Sequence, residues 1–82
     1  MTTTTRRRRT LDQRAEFGQP LTDRETAIII MLADGQHDPE IAAGLEIAPR
    51  TYRRHVVAAQ VKLGARSRAH LVALAIRGQV IP

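Results

Sequence analysis

The chain of 82 residues has no cysteine and no tryptophan, and its only aromatic residues are Phe17 and Tyr52. Without cysteine there is no disulfide framework and no thiolate zinc site. Three scattered histidines, His37, His55 and His70, lack acidic neighbours at a ligand spacing, so no metal is expected. With so few aromatics there is no platform on which single-stranded bases could stack, which argues against an RNA-binding module. No apolar run approaches the ~20 residues that span a bilayer. The N-terminus has no apolar core of a signal peptide, and the expected location is therefore the cytoplasm. Nothing resembles a phosphate-binding loop, a carboxylate pair in a pocket or a nucleophile with its base, so no enzymatic activity and no cofactor are expected. Acidic residues are missing too from one half: the last of them is Glu46.

What is present is basic charge, unevenly spread. The formal net charge is +5. Residues 1–17 hold five arginines against two acids, residues 18–47 one arginine against six acids, and residues 48–82 seven basic residues with no acid. Such polarity suits a module with one face for a polyanion and another for solvent or protein. The length allows one small domain with a tail.

Residues 1–17 read as a largely disordered basic arm. Met1–Thr10 is low in complexity and has nothing to bury. Arg6, Arg7, Arg8 and Arg9 are candidate phosphate contacts beside a DNA-binding domain, with a solubilising tail as the competing reading. Leu11–Phe17 is expected to form a short helical turn, broken by Gly18 and Pro20.

Residues 18–82 then carry four helical signatures. Thr22 and Glu25 form a capping box, with Leu21 at the staple position before it. Ile28, Ile29 and Leu32 make the inward face of that helix; Ile30 falls off it, and Gly35 closes the helix. Asp38, Pro39 and Glu40 suit the N-cap and first turn of a short second helix, with Ile41, Ala42 and Leu45 on one face. Gly44 is placed at its end. Ile47 plugs the turn, and Pro49 begins a third helix. Gly64 ends that helix. Ser67 caps a fourth, which runs to about Arg77 and stops at Gly78. Leu71, Leu74 and Ala75 make its inner face. Val72, Ile76 and Val80 leave it apolar over more than one face, which points to a homodimer interface.

The third helix carries the chemistry. At about 100° per residue, Tyr52, Val56, Ala59 and Leu63 form one apolar stripe. Arg50, Arg53, Arg54, Val57 and Val61 fall on the opposite side. Guanidinium forks on a helix surface match phosphate oxygens and the O6/N7 edge of guanine. The face reads as a recognition surface for a DNA major groove. A solvated basic face is the bland alternative, and the charge distribution of the whole chain weighs against it.

Two short helices joined by a tight turn, the second one basic, match helix-turn-helix organisation. Leu21, Thr22, Arg24, Glu25, Gly35, Glu40, Ile41, Ala42, Leu45, Ile47, Thr51, His55, Lys62, Leu63, Gly64, Ser67 and Arg68 stand in an order and spacing similar to the LuxR/FixJ-type (GerE-like) helix-turn-helix domain. The resemblance covers about residues 21–81. It implies an all-α, four-helix fold and a transcriptional regulator that reads double-stranded DNA with its third helix and dimerises through its fourth. By position it implies base contacts for Arg53, Arg54 and Val57, and phosphate contacts for Arg50, Thr51, Lys62 and Arg68. Glu40 and His55 look architectural. RNA polymerase or another regulator is an eligible further partner.

Four positions depart from the family pattern. Ala48 stands where a serine cap is usual, a change that costs ~0.5–2 kcal/mol of helix stability. His37 replaces a second usual cap, which leaves the role to Asp38. Ile30 is apolar where a charge is usual and marks a candidate partner contact. Tyr52 replaces a small β-branched residue, and its hydroxyl is expected near the surface. Most members of the family also carry a receiver or ligand-binding domain; this chain resembles the small stand-alone members. An adaptor that keeps the fold without depending on DNA is the alternative function, and the basic second half argues against it.

Overall fold

The computed structural model describes residues 14–78. Four helices follow one another: α1 (Asp23–Ala33), α2 (Asp38–Gly44), α3 (Pro49–Leu63) and α4 (Arg68–Arg77). No strand occurs among the described residues. The architecture is all-α, with the four helices where the periodicity and capping signals place them.

Local chemistry fixes each helix end. The Glu25 N–H donates to Thr22 Oγ1 at 3.0 Å, and the Thr22 N–H donates to Glu25 Oε1 at 2.9 Å, a complete capping box for α1. Gly35, at φ 90°, turns the chain out of α1, a conformation that glycine adopts without steric cost. For α2 the cap sits one residue earlier than the sequence pattern suggests. His37 is the N-cap, and its N–H donates to Glu40 Oε1 at 2.8 Å. Asp38 is the first helical residue, so its carboxylate is released for other partners. The turn into α3 holds Glu46 at φ 58°, a left-handed conformation that an L side chain adopts at a cost of ~1–2 kcal/mol. Pro49 starts α3 with no side-chain cap from Ala48. Ser67 Oγ accepts from the His70 N–H at 3.1 Å, and His70 Nδ1 accepts from the Arg66 N–H at 3.0 Å. A histidine thus completes a reciprocal cap at the start of α4.

The core has two parts, and α1 stands between them. Ile28 packs with Ile41, Ala42, Tyr52 and Val56, joining α1, α2 and α3. Its chain neighbour Ile29 packs with Ala59, Leu71 and Ala75, joining α1, α3 and α4. Consecutive residues on a helix point about 100° apart, so one isoleucine serves each side. Leu32 packs against both parts. The stripe on α3 is shared likewise, Tyr52 and Val56 on one side and Ala59 and Leu63 on the other. This division seats α3 across α1 with its basic face outward.

Two expectations change here. Ile30 is only partly exposed, because it packs against the core part that includes α4. Residues 14–16 have no regular structure, and Phe17 and Gly18 form a turn instead of the end of a helical segment. Leu11 lies outside the described residues. That turn docks on the end of α3: the Gly18 N–H donates to the Lys62 carbonyl at 2.9 Å. The Phe17 ring covers Gly64, where a Cβ would come within 3.0 Å of it, and Gly64 also holds φ 72°. Gly64 is therefore fixed twice, by backbone conformation and by the ring.

Candidate nucleic-acid interface

The outward face of α3 exposes Arg50, Arg53, Arg54, Val57 and Val61, while Tyr52, Val56 and Ala59 on the opposite face are buried. Val57 is 49% exposed although apolar, in the middle of a cationic surface. Thr51 is half-buried at the edge of the face. The candidate base readers Arg53, Arg54 and Val57 therefore share one surface.

A groove flanks this helix on each side. One, of about 420 Å³, is lined by Arg14, Arg24, Arg54, His55 and Lys62, with Glu25 as its acid. The other, of about 440 Å³, is lined by Arg53 and Arg68, with Asp38, Tyr52 and Pro49. The neighbours Arg53 and Arg54 thus border different grooves, as their angular separation on a helix requires. Arg14 and Arg24 are not among the DNA contacts expected from the sequence. Their signal was positional: Arg24 lies in the first turn of the helix that α3 packs upon, and Arg14 lies just before the docked turn.

Lys62 does not sit among the exposed cations. Its ammonium bonds Glu25 Oε1 at 2.9 Å and Oε2 at 3.2 Å, with the two side chains only 10% and 5% exposed. Glu25 already faces Lys62 after capping α1, and its charge in a near-dry site captures the lysine. The expected phosphate contact of Lys62 would have to compete with this internal partner, which ties α1 to the end of α3.

Arg68 is placed differently. Its Nε lies 3.0 Å from Asp38 Oδ1 and 2.9 Å from Oδ2, and the two side chains are 43% and 38% exposed. The Tyr52 hydroxyl donates to the same Asp38 Oδ1 at 2.7 Å. Burial pushes the Asp38 carboxyl up, but the hydrogen bonds from Tyr52 and Arg68, with the charges of Arg68 and His37, outweigh it and hold it below its ordinary value. Burial, followed by the hydrogen bond and charge of Asp38, pushes the Tyr52 hydroxyl up to about 12. His55 is half-buried; burial, then the Arg24 charge, pull its imidazole down, with Glu25 opposing. His55 therefore favours its neutral form and adds less charge to the face than the sequence alone suggests.

On α4, Ile76 is 51% exposed. Val72 is partly covered by the core of its own chain, packing with Leu71, Ala75 and Ile29. It is less available to a partner than the helical pattern implies. Val80 and the arm residues Arg6, Arg7, Arg8 and Arg9 lie outside the described residues. No group of three or more potential metal ligands occurs among the described residues. None of the described helices is long and apolar enough to cross a membrane.

The profile of the luxR family of bacterial regulatory proteins matches residues 19–75, spanning all but the end of the four-helix unit. The chain is 44% identical over 61 residues to the transcriptional activator protein BjaR1 of Bradyrhizobium diazoefficiens, covering 74% of this chain and 25% of that protein. It is 34% identical over 74 residues to the response regulator protein VraR of Staphylococcus saprophyticus, covering 90% of this chain and 35% of the relative. It is 41% identical over 61 residues to the probable transcriptional regulatory protein NarL of Mycobacterium tuberculosis, covering 74% and 28%. The chain spans about a quarter to a third of the length of these relatives. No solved structure matches it significantly.

Proposed function

The chain belongs to the luxR family of bacterial regulatory proteins, and on that premise we propose that it is a sequence-specific transcriptional regulator that binds double-stranded DNA with α3 in the major groove. One observation carries the reading: Arg50, Arg53, Arg54 and Val57 are all exposed on the face of α3 opposite its buried stripe. Arg53 and Arg54 address different bases, and Val57 meets a thymine methyl group. Arg50, Thr51 and Arg68 lie at the edges of that face and contact phosphates, which orient the helix without reading sequence. Arg6, Arg7, Arg8 and Arg9 are further proposed phosphate contacts, and Arg14, the first described residue, lines a groove with Arg54 and His55. The exposed Ile76 supports a homodimer on paired half-sites, with Val80 a further candidate contact by its sequence position alone. The bacterial chromosome, in the cytoplasm, is the site of action, with RNA polymerase or another regulator as a further partner there.

Binding-site selection from random duplexes tests this reading. The parent should select a defined sequence, as two related half-sites if it dimerises through α4. Arg53→Ala should relax preference at one base position and Arg54→Ala at another, since a bidentate arginine–guanine contact is worth ~1–3 kcal/mol of discrimination. If both variants keep the parental preferences and lose only salt-dependent affinity, α3 is a phosphate binder. If the parent selects nothing and binds no duplex, the adaptor reading replaces this one.

A further inference from the structure

The contacts among Tyr52, Asp38 and Arg68 join the starts of three helices. Asp38 is the first residue of α2, Tyr52 lies in the first turn of α3, and Arg68 is the first residue of α4. Tyr52 is 3% exposed and packed with Ile28, Ile41, Ala42 and Val56, so its ring cannot move without disturbing the core. Its hydroxyl fixes Asp38 Oδ1 at 2.7 Å, and Asp38 in turn holds Arg68 by Nε. Arg68 meets Asp38 through Nε, and its side chain stays 43% exposed. Arg68 borders the groove that Arg53 and Pro49 also line.

We infer that Tyr52 and Asp38 are positioning residues for Arg68, holding its guanidinium at the edge of the recognition face so that its Nη groups clamp one DNA phosphate. The inference rests on the DNA-binding reading above. A free arginine loses much side-chain freedom when it settles on a phosphate; one already held by Nε loses less, and its fork is aimed before contact. Asp38 would repel an approaching phosphate if it stood alone. Paired with Arg68 and hydrogen-bonded by a neutral phenol, it acts through the arginine instead. Tyr52 is what lets the buried stripe of α3 reach that carboxylate.

Tyr52→Phe removes one oxygen, changes no charge and keeps the ring in the core. Duplex affinity should fall about three- to tenfold, and the slope of log affinity against log salt should become shallower by up to about one, as for a lost phosphate contact. Base preferences should stay parental. In an Arg68→Ala background the same substitution should change nothing further, because the arginine it positions is gone. This second arm separates positioning from a general loosening of the fold, which would weaken binding in both backgrounds. Unchanged or tighter binding by Tyr52→Phe overturns the inference, tighter binding showing Asp38 to be a counter-charge that competes with DNA. Equal losses with and without Arg68 overturn it as well. A parent that binds no duplex at all removes the functional reading, and the inference with it; a parent that binds while its variants behave in these contrary ways removes the inference alone.

Discussion

Two ion pairs flank the recognition helix, built from the same kinds of residue and placed in opposite surroundings. Lys62–Glu25, toward the end of α3, is nearly dry. Arg68–Asp38, beside its first turn, is about two-fifths exposed. In the first, both charges lie where neither can recover water if its partner leaves, so the pair clamps α3 to α1. In the second, water already solvates the charges, so the pair adds little stability and its cation remains accessible to another anion. Charge type and position in the sequence do not distinguish them: both cations belong to the acid-free second half of the chain. Burial decides which one is architecture and which one is surface.

The sharpest way to break this contrast is to remove each cation. Lys62→Ala leaves Glu25 buried and uncompensated, and the expected loss is ~3–5 kcal/mol in denaturant unfolding, a large part of the stability of so small a domain. Glu25→Gln combined with Lys62→Met should restore much of it, because the capping acceptor is kept and no buried charge remains. A Lys62→Ala protein as stable as the parent, with DNA affinity lowered evenly, would return Lys62 to the phosphate contacts. Arg68→Ala should change stability by no more than ~1 kcal/mol while lowering duplex affinity on all sequences alike. A stability loss matching that of Lys62→Ala would erase the difference between the pairs.

The smallest effects are those of pH, and the only tyrosine of a chain without tryptophan reports them cleanly. Its absorbance should titrate near 12 instead of 10.0, and Asp38→Asn should bring the midpoint back toward 10.0. A raised folded value means that this contribution to stability is intact below pH 10.0 and is lost as pH rises toward about 12. Asp38 runs the other way. Its lowered value gives a contribution present above 3.8, lost as the pH falls through the folded value. His55 adds a further decline at mildly acid pH: below 6.5 the unfolded chain takes up its proton before the folded one does. A parental tyrosine midpoint near 10.0 would show the Tyr52–Asp38 contact to be absent in solution.

The helices, the caps of α1 and α4 and the two faces of α3 were legible in the sequence. Those features depend on residues three or four apart, within reach of periodicity and capping chemistry: Thr22 with Glu25, Ser67 at the start of α4, and the buried Tyr52, Val56 and Ala59 against the exposed Arg50, Arg53 and Arg54. The family pattern, itself an ordered set of such local signals, was legible for the same reason. The tertiary fold decided how Lys62 and Arg68 are paired. Lys62 meets Glu25 across 37 positions and Arg68 meets Asp38 across 30, and no local spacing foretells either pairing. The same holds for Ile30, partly covered by its own fold, and for the docking of Gly18 on the end of α3. The physical reason is that a side chain's charge is set by its chemistry, whereas its exposure is set by whatever the folded chain brings beside it.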